Sequence, residues 1–136
     1  MLKTELNIDV RYYETDQMGI VHHSNYLRYF ECGRVDLLKK IGLPIEKIEE
    51  SGVMMPVVSL NCHYRTPAKL GDSLNVITYI EELPKARLDI RNEIFNQDGM
   101  LVCEGSVMLG FINSETRRPV RCPKSLLNIF EQHFND

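Results

Sequence analysis

The chain has 136 residues, of which 43% are hydrophobic, and this length and composition suit a single domain, residues 1–136, with one core. Its 16 Lys and Arg and 19 Asp and Glu give a net charge of -3, which provides no long-range attraction for nucleic acid. No continuous hydrophobic stretch is long enough for a signal peptide or a membrane span, so we expect a cytoplasmic protein.

The cysteines are widely scattered and do not form a CxxC pair or the regular framework of a small secreted domain. They are Cys32, Cys62, Cys103 and Cys122. We expect reduced thiols. A metal would need the adjacent pairs His22–His23 and Cys62–His63, which lack the usual zinc spacing and would point to opposite faces of a strand. The sequence therefore predicts no metal site, and nothing in it calls for a cofactor.

The first predicted element is a strand, followed by a long helix. Apolar residues alternate with polar ones from Leu6 to Tyr12, the period of a strand that buries one face. After Gly19, apolar residues recur at three- and four-residue steps, which predicts a helix over residues 25–41. Asn25 is the expected N-cap, Gly42 the expected stop, and Gly33 would allow a close backbone approach.

The rest of the chain is predicted to be mostly strand. A short helical turn over 45–51 precedes four segments rich in β-forming residues, at 53–64, 73–82, 87–96 and 100–113. Asp98-Gly99 is typical of a hairpin turn, and Pro123 opens a last amphipathic helix. Five strands with short connections indicate an antiparallel sheet that covers the long helix, an α+β architecture.

The loop of residues 13–26 concentrates polar and special residues just before the helix. One interpretation is ordinary turn chemistry, in which Asp16 and Asn25 are turn and cap residues and Gly19 supplies a positive φ. The other is a site: N–H groups at a helix N-terminus stabilise an oxyanion, and a carboxylate at Asp16 attacks a carbonyl carbon or activates a water. The pattern of residues alone leaves both interpretations open.

Three segments carry a resemblance to a known family. They are Tyr13-x-Thr15-Asp16-x-x-Gly19-Ile20-Val21-x-His23-x-Asn25-Tyr26 with Phe30-Glu31-x-x-Arg34, then Pro56-Val57-Val58-Ser59-x-Asn61, then Tyr64-x-x-Pro67-Ala68-x-x-Gly71-Asp72. In this order and spacing they resemble acyl-CoA thioesterases related to 4-hydroxybenzoyl-CoA thioesterase, over nearly the whole chain. The resemblance implies a hotdog fold, a five-stranded antiparallel sheet wrapped around one long central helix with a further C-terminal helix, and hydrolysis of acyl thioesters.

The resemblance also implies site residues. The catalytic carboxylate falls on Asp16, and the backbone N–H that polarises the carbonyl falls on His23, whose imidazole either takes part or only packs in the loop. The expected substrate contacts are Gly19, Val21, Asn25 and Tyr26 around the loop, Ser59 and Asn61 on a strand, and Lys85, Arg117 and Arg118 for the phosphates of CoA.

Glu31 has a separate interpretation, because another branch of hotdog thioesterases carries its catalytic glutamate on the central helix. Asp16 already provides a carboxylate here. We therefore expect Glu31 to pair with Arg34, three residues further along the helix.

Partners and competing functions follow from the same resemblance. Sites of this family lie between subunits, so we expect a homodimer or a homotetramer, with acyl-CoA or an acyl-carrier protein as substrate. A dehydratase on the same fold would need a catalytic His with an acidic partner, and a non-catalytic acyl-thioester-binding module would need no carboxylate. The loop from Asp16 to His23 favours hydrolysis over both.

Overall fold

The alternating first segment and the helical segment after it form a strand and a long helix in the computed structural model of the chain, which describes residues 1–134. The elements are β1 (Leu2–Asp9), α1 (Ser24–Lys40), α2 (Ile45–Glu50), β2 (Val53–Met54), β3 (Val57–Tyr64), β4 (Ser73–Ile80), β5 (Arg87–Phe95), β6 (Leu101–Gly110), β7 (Ile112–Asn113) and α3 (Lys124–Phe134).

Five strands form one antiparallel sheet in the order β1-β4-β5-β6-β3, with α1 packed on one face. Tyr29, Phe30 and Leu37 of α1 are fully buried against apolar residues of the central strands. The turn at Gly99, where φ is 77°, joins β5 to β6 as predicted. The structure confirms the predicted α+β architecture, in which one sheet covers one long helix.

Gly33 marks the point where α1 comes closest to the sheet. A Cβ at this position would lie 2.9 Å from Val76 Cγ1 and even closer to Thr78 Oγ1, and both side chains are fully buried. The close approach expected from the sequence is confirmed, and it fixes α1 against β4.

Several predicted boundaries are wrong. Tyr12 does not continue the first strand, because the chain leaves the sheet after β1 and forms a short 3-10 turn (Tyr12–Glu14) in which Tyr12 is 79% exposed. The predicted strand over 53–64 is broken at Pro56, since proline has no N–H to donate to a ladder. Its first part, β2, pairs instead with β7 in a separate two-stranded sheet.

One edge of the main sheet is unusually apolar. β3 pairs with β6 on one side only, and its large apolar side chains are about half exposed. They are Val57, Val58, Leu60 and Tyr64. Among residues 1–134, no helix has both the length and the apolar character needed to cross a membrane.

Candidate active site

The loop between β1 and α1 folds back on itself as a narrow hairpin. The His22 N–H donates to Glu14 O at 2.9 Å, and the Asp16 N–H donates to Ile20 O at 2.8 Å. Between these two hydrogen bonds, Thr15 and Val21 form an antiparallel β-bridge. This pairing puts Asp16 at the turn and His22 at the base of the hairpin, next to the first turn of α1. The tip needs a positive φ, which Gly19 supplies at 75°.

Asp16 is exposed, but its carboxylate is oriented. Oδ1 accepts hydrogen bonds from the backbone N–H groups of Met18 at 2.8 Å and Ile20 at 3.3 Å. Within residues 1–134, Oδ2 accepts no hydrogen bond. Asp16 therefore is a turn aspartate, as the simpler interpretation held, and it also presents one free carboxylate oxygen to solvent.

The start of α1 offers an unoccupied donor. His23 is the N-cap residue and its side chain makes no capping bond, while the N–H groups of Ser24 and Asn25 are bonded to His22. In the part of the chain that the structure describes, the His23 N–H has no acceptor. Its exposed imidazole stacks on His22 at 4.2 Å between ring centroids.

The prediction that Asn25 caps the helix is wrong. Asn25 is the second residue of α1 and is buried, and its Nδ2 donates to the carbonyl oxygen of Glu14 at 2.9 Å. Its amide therefore fastens the loop to the helix and does not bond a free N–H of the first turn. The sequence pattern predicted the position of Asn25 near the helix start, but not its hydrogen bond to Glu14, 11 residues earlier in the chain.

The chain has relatives across most of its length. The model of the Thioesterase-like superfamily matches residues 10–130. This protein belongs to that superfamily. It is 36% identical over 118 residues to YneP of Bacillus subtilis (strain 168), a candidate acyl-CoA thioesterase, covering 87% of this chain and 86% of the relative. It is 31% identical to a chloroplastic acyl-acyl carrier protein thioesterase of Arabidopsis thaliana, with coverages of 96% and 68%.

A solved structure agrees with this assignment. The DHNA-CoA thioesterase from Staphylococcus aureus is 32% identical and superposes with a TM-score of 0.83, covering all of this chain and 86% of that one. The resemblance inferred from three sequence segments is thus confirmed at the level of family and fold.

Two of the expected substrate contacts in this superfamily member are core residues. Val21 and Tyr26 are buried, and the Tyr26 hydroxyl accepts a hydrogen bond from the Ala68 N–H at 3.1 Å. Burial raises the pKa of Tyr26, which keeps the hydroxyl protonated. Tyr64 packs on Tyr26 with 5.4 Å between ring centroids, and its hydroxyl lies 3.5 Å from His23 O. Tyr64, at the end of β3, therefore borders the candidate site.

Ser59 and Asn61 lie on the face of the sheet that points away from α1. Asn61 is opposite Ser106 on β6, and its Nδ2 donates to Ser106 Oγ at 2.7 Å. Ser59 is opposite Met108 on the same outward face. The structure does not bring either side chain to the loop of Asp16, and their contact with substrate stays a prediction.

The three predicted phosphate ligands belong to a larger cationic patch. The segment after β7 runs beside the segment before β5, since the Cys122 N–H donates to Lys85 O at 2.7 Å. Six exposed cations lie on these two segments or at the first residues of β5 and α3, which follow them, and none forms a salt bridge within residues 1–134. The cationic patch comprises Lys85, Arg87, Arg117, Arg118, Arg121 and Lys124. Sequence reasoning did not count Arg87, Arg121 and Lys124 among the phosphate ligands, because the sequence does not show that the two segments lie side by side.

A cavity of about 250 Å³ opens between α1, α2 and β2. Met54, Met55 and Ile48 give it apolar walls, and Arg34 lies at its edge. Arg34 pairs with Glu31 at 3.8 Å, as predicted from their spacing on the helix. Burial lowers the pKa of Arg34, because desolvation disfavours the charged guanidinium.

Within residues 1–134, no group of three His, Cys, Asp or Glu side chains is arranged to hold an ion. The cysteines are free thiols, as expected.

Proposed function

We propose that this protein hydrolyses acyl-CoA thioesters, with Asp16 as the catalytic carboxylate and the His23 N–H as the oxyanion donor. The proposal rests on an oriented carboxylate whose Oδ2 accepts no hydrogen bond, joined through the hairpin loop to a helix-start N–H that has no acceptor, both within residues 1–134. A donor at a helix N-terminus stabilises negative charge on a carbonyl oxygen, and the carboxylate acts at the carbonyl carbon.

Two routes use these groups. In the first, Asp16 takes a proton from water while the water oxygen bonds to the carbonyl carbon, and the C–S bond then breaks to release the thiolate. In the second, Asp16 itself bonds to the carbonyl carbon and expels the thiolate, and water then hydrolyses the resulting anhydride. In both routes the His23 N–H donates a hydrogen bond to the oxyanion. Because a thiolate is a good leaving group, neither route needs a strong general acid.

The exposed edge of β3 supports a homodimer. An apolar edge strand with unpaired N–H and C=O groups is a template for pairing with another chain. If two copies of β3 pair antiparallel, the start of one lies beside the end of the other, where Tyr64 borders the site. Each site would then be completed by the partner subunit, and two such dimers would form a homotetramer.

The same pairing suggests where the acyl group goes. Met54 and Met55, which line the 250 Å³ cavity, lead directly into the start of β3. The cavity of one subunit would therefore lie close to Asp16 of the other. The acyl group would then occupy this mostly apolar cavity.

The cationic patch supports binding of the phosphates of CoA. Arg and Lys bind phosphate oxygens through charge-assisted hydrogen bonds, and these six side chains are exposed and free of salt bridges within residues 1–134. An acidic acyl-carrier protein, which shares the phosphopantetheine arm with CoA, is the second candidate carrier because the patch extends to Arg121 and Lys124.

Thiol release from a panel of aliphatic, branched and aromatic acyl-CoAs tests the proposal. We expect Asp16→Asn to lower kcat at least about 100-fold, in the range seen when a general base is removed. Asp98→Asn is the matched control, because Asp98 is also an exposed turn aspartate and should leave kcat unchanged. Equal activity of wild type and Asp16→Asn would refute the catalytic assignment. A wild type that releases no thiol from acyl-CoA or acyl-carrier protein would instead be a binding module.

A further inference from the structure

The hairpin loop contains a second carboxylate that the proposed chemistry does not use. Glu14 is only 5% exposed and lies two residues before Asp16. A buried carboxylate is costly unless hydrogen bonds and an opposite charge compensate for its lost hydration. The groups that bond to Glu14 therefore show which segments of the chain this residue holds together.

Both carboxylate oxygens of Glu14 have partners from different parts of the chain. Oε1 accepts hydrogen bonds from the Arg11 N–H at 2.8 Å and the Tyr29 hydroxyl at 3.0 Å, and Oε2 faces Arg11 Nη1 at 3.3 Å. Burial, followed by the hydrogen bond to Glu14, raises the pKa of Tyr29 far above its ordinary value. The Tyr29 hydroxyl is therefore protonated at neutral pH and donates to Glu14.

The main chain of Glu14 holds the other side of the loop. Its carbonyl oxygen accepts hydrogen bonds from the His22 N–H and from Asn25 Nδ2, each at 2.9 Å. One residue therefore connects the end of β1, the base of the hairpin and the first two turns of α1. The seven residues between Glu14 and His22 carry Asp16, and both ends of this segment are held at Glu14.

We infer that Glu14 is a positioning residue, whose buried carboxylate holds the Asp16 hairpin in register with the start of α1. This inference rests on the proposed function, because it assigns Glu14 the task of keeping the Asp16 carboxylate and the His23 N–H in their relative positions. A displacement of about 1 Å between catalytic groups costs about 100-fold in rate, so the anchor need not touch the substrate to matter.

Two substitutions separate charge from anchoring. Glu14→Gln keeps an oxygen that can accept from the Arg11 N–H and the Tyr29 hydroxyl, whereas Glu14→Ala leaves both donors without a partner. We expect Glu14→Ala to lower kcat about tenfold or more with KM within about twofold, and Glu14→Gln to restore most of the loss.

A stability control distinguishes positioning from general destabilisation. Asn92→Ala removes a buried hydrogen bond, from Nδ2 to Thr78 Oγ1 at 2.9 Å, on the sheet beneath α1 and outside the hairpin. It should lower Tm while leaving kcat unchanged when both variants are assayed well below their Tm. Equal kcat losses for Glu14→Ala and Asn92→Ala would overturn the inference.

Backbone amide exchange, measured by NMR, tests the inference without catalysis. The N–H groups of Met18 and Ile20, which hold Asp16 Oδ1, should exchange faster in Glu14→Ala and at the wild-type rate in Glu14→Gln. Unchanged exchange in Glu14→Ala would overturn the inference. If Asp16→Asn kept full activity, the catalytic assignment would fail, and amide exchange alone would still decide the role of Glu14.

Discussion

Gly33→Ala should destabilise the protein even though alanine is the better helix former. The new Cβ would lie 2.9 Å from Val76 Cγ1 and closer still to Thr78 Oγ1, both fully buried. These are not the ends of long flexible side chains, since both are β-branched residues of β4 with restricted χ1. Either α1 moves away from the sheet or Thr78 gives up its hydrogen bond to Asn92.

The change in the free energy of unfolding combines two destabilising effects and one stabilising effect. Overpacking a buried site costs about 1–3 kcal/mol. Losing the bond between Thr78 and Asn92 costs about 1 kcal/mol. Replacing glycine by alanine inside a helix stabilises the helix by about 1 kcal/mol. The net loss is about 1–3 kcal/mol in the free energy of unfolding, which at this chain length lowers Tm by about 4–12 °C.

Thermal and urea unfolding of Gly33→Ala measure this loss. Cys32→Ala is the matched control, because Cys32 is the preceding residue of α1 and is exposed, so its Tm should stay close to that of wild type. Thr78→Ala in combination with Gly33→Ala should recover part of the loss, since it removes the atom that the new Cβ meets. A Tm that rises in Gly33→Ala would refute the packing argument and leave helix propensity as the dominant effect.

Three further predictions concern the interface, the cationic patch and pH. Leu60→Lys should convert the proposed dimer to monomer in sedimentation velocity, because it places a charge on the apolar edge of β3, whereas Val35→Lys on the exposed face of α1 should not. Arg118→Glu should raise KM for acyl-CoA about tenfold and make it less sensitive to salt, whereas Lys3→Glu on β1 should leave KM unchanged. Burial raises the pKa of Cys122 to about 11 from 9.0, so the unfolded chain loses this proton at a lower pH than the folded protein. Stability should therefore fall between pH 9 and 11, by about 2 kcal/mol more in wild type than in Cys122→Ala in urea titrations.

Local patterns in the sequence were sufficient for most of the elements and for the loop that contains Asp16. The period of apolar residues predicted α1 to within one residue at each end, and Asp98-Gly99 predicted the hairpin between β5 and β6. These features depend on the backbone preferences of neighbouring residues, which sequence displays directly. The break at Pro56 was missed although the proline is visible in the sequence, and the end of the first strand before Tyr12 was missed because it depends on where the pairing of β1 with β4 stops.

The roles of individual side chains were harder to predict, because they depend on partners that are distant in sequence. Asn25 was expected to cap a helix, but its amide reaches back 11 residues to Glu14. Ser59 and Asn61 share a strand face, as alternation predicted, yet only the pairing of β3 with β6 shows that this face points away from α1.

By itself, the sequence determined that this chain is an α+β member of a thioesterase superfamily with Asp16 in the loop before its long helix. Motif spacing carries that information because residues close along the chain must remain close in space. The tertiary structure alone decided that Glu14 is buried beneath this loop, that two distant segments join in one cationic patch, and that β3 presents an apolar edge. Each of these depends on contacts between segments far apart in the chain, which packing of the sheet on α1 brings together.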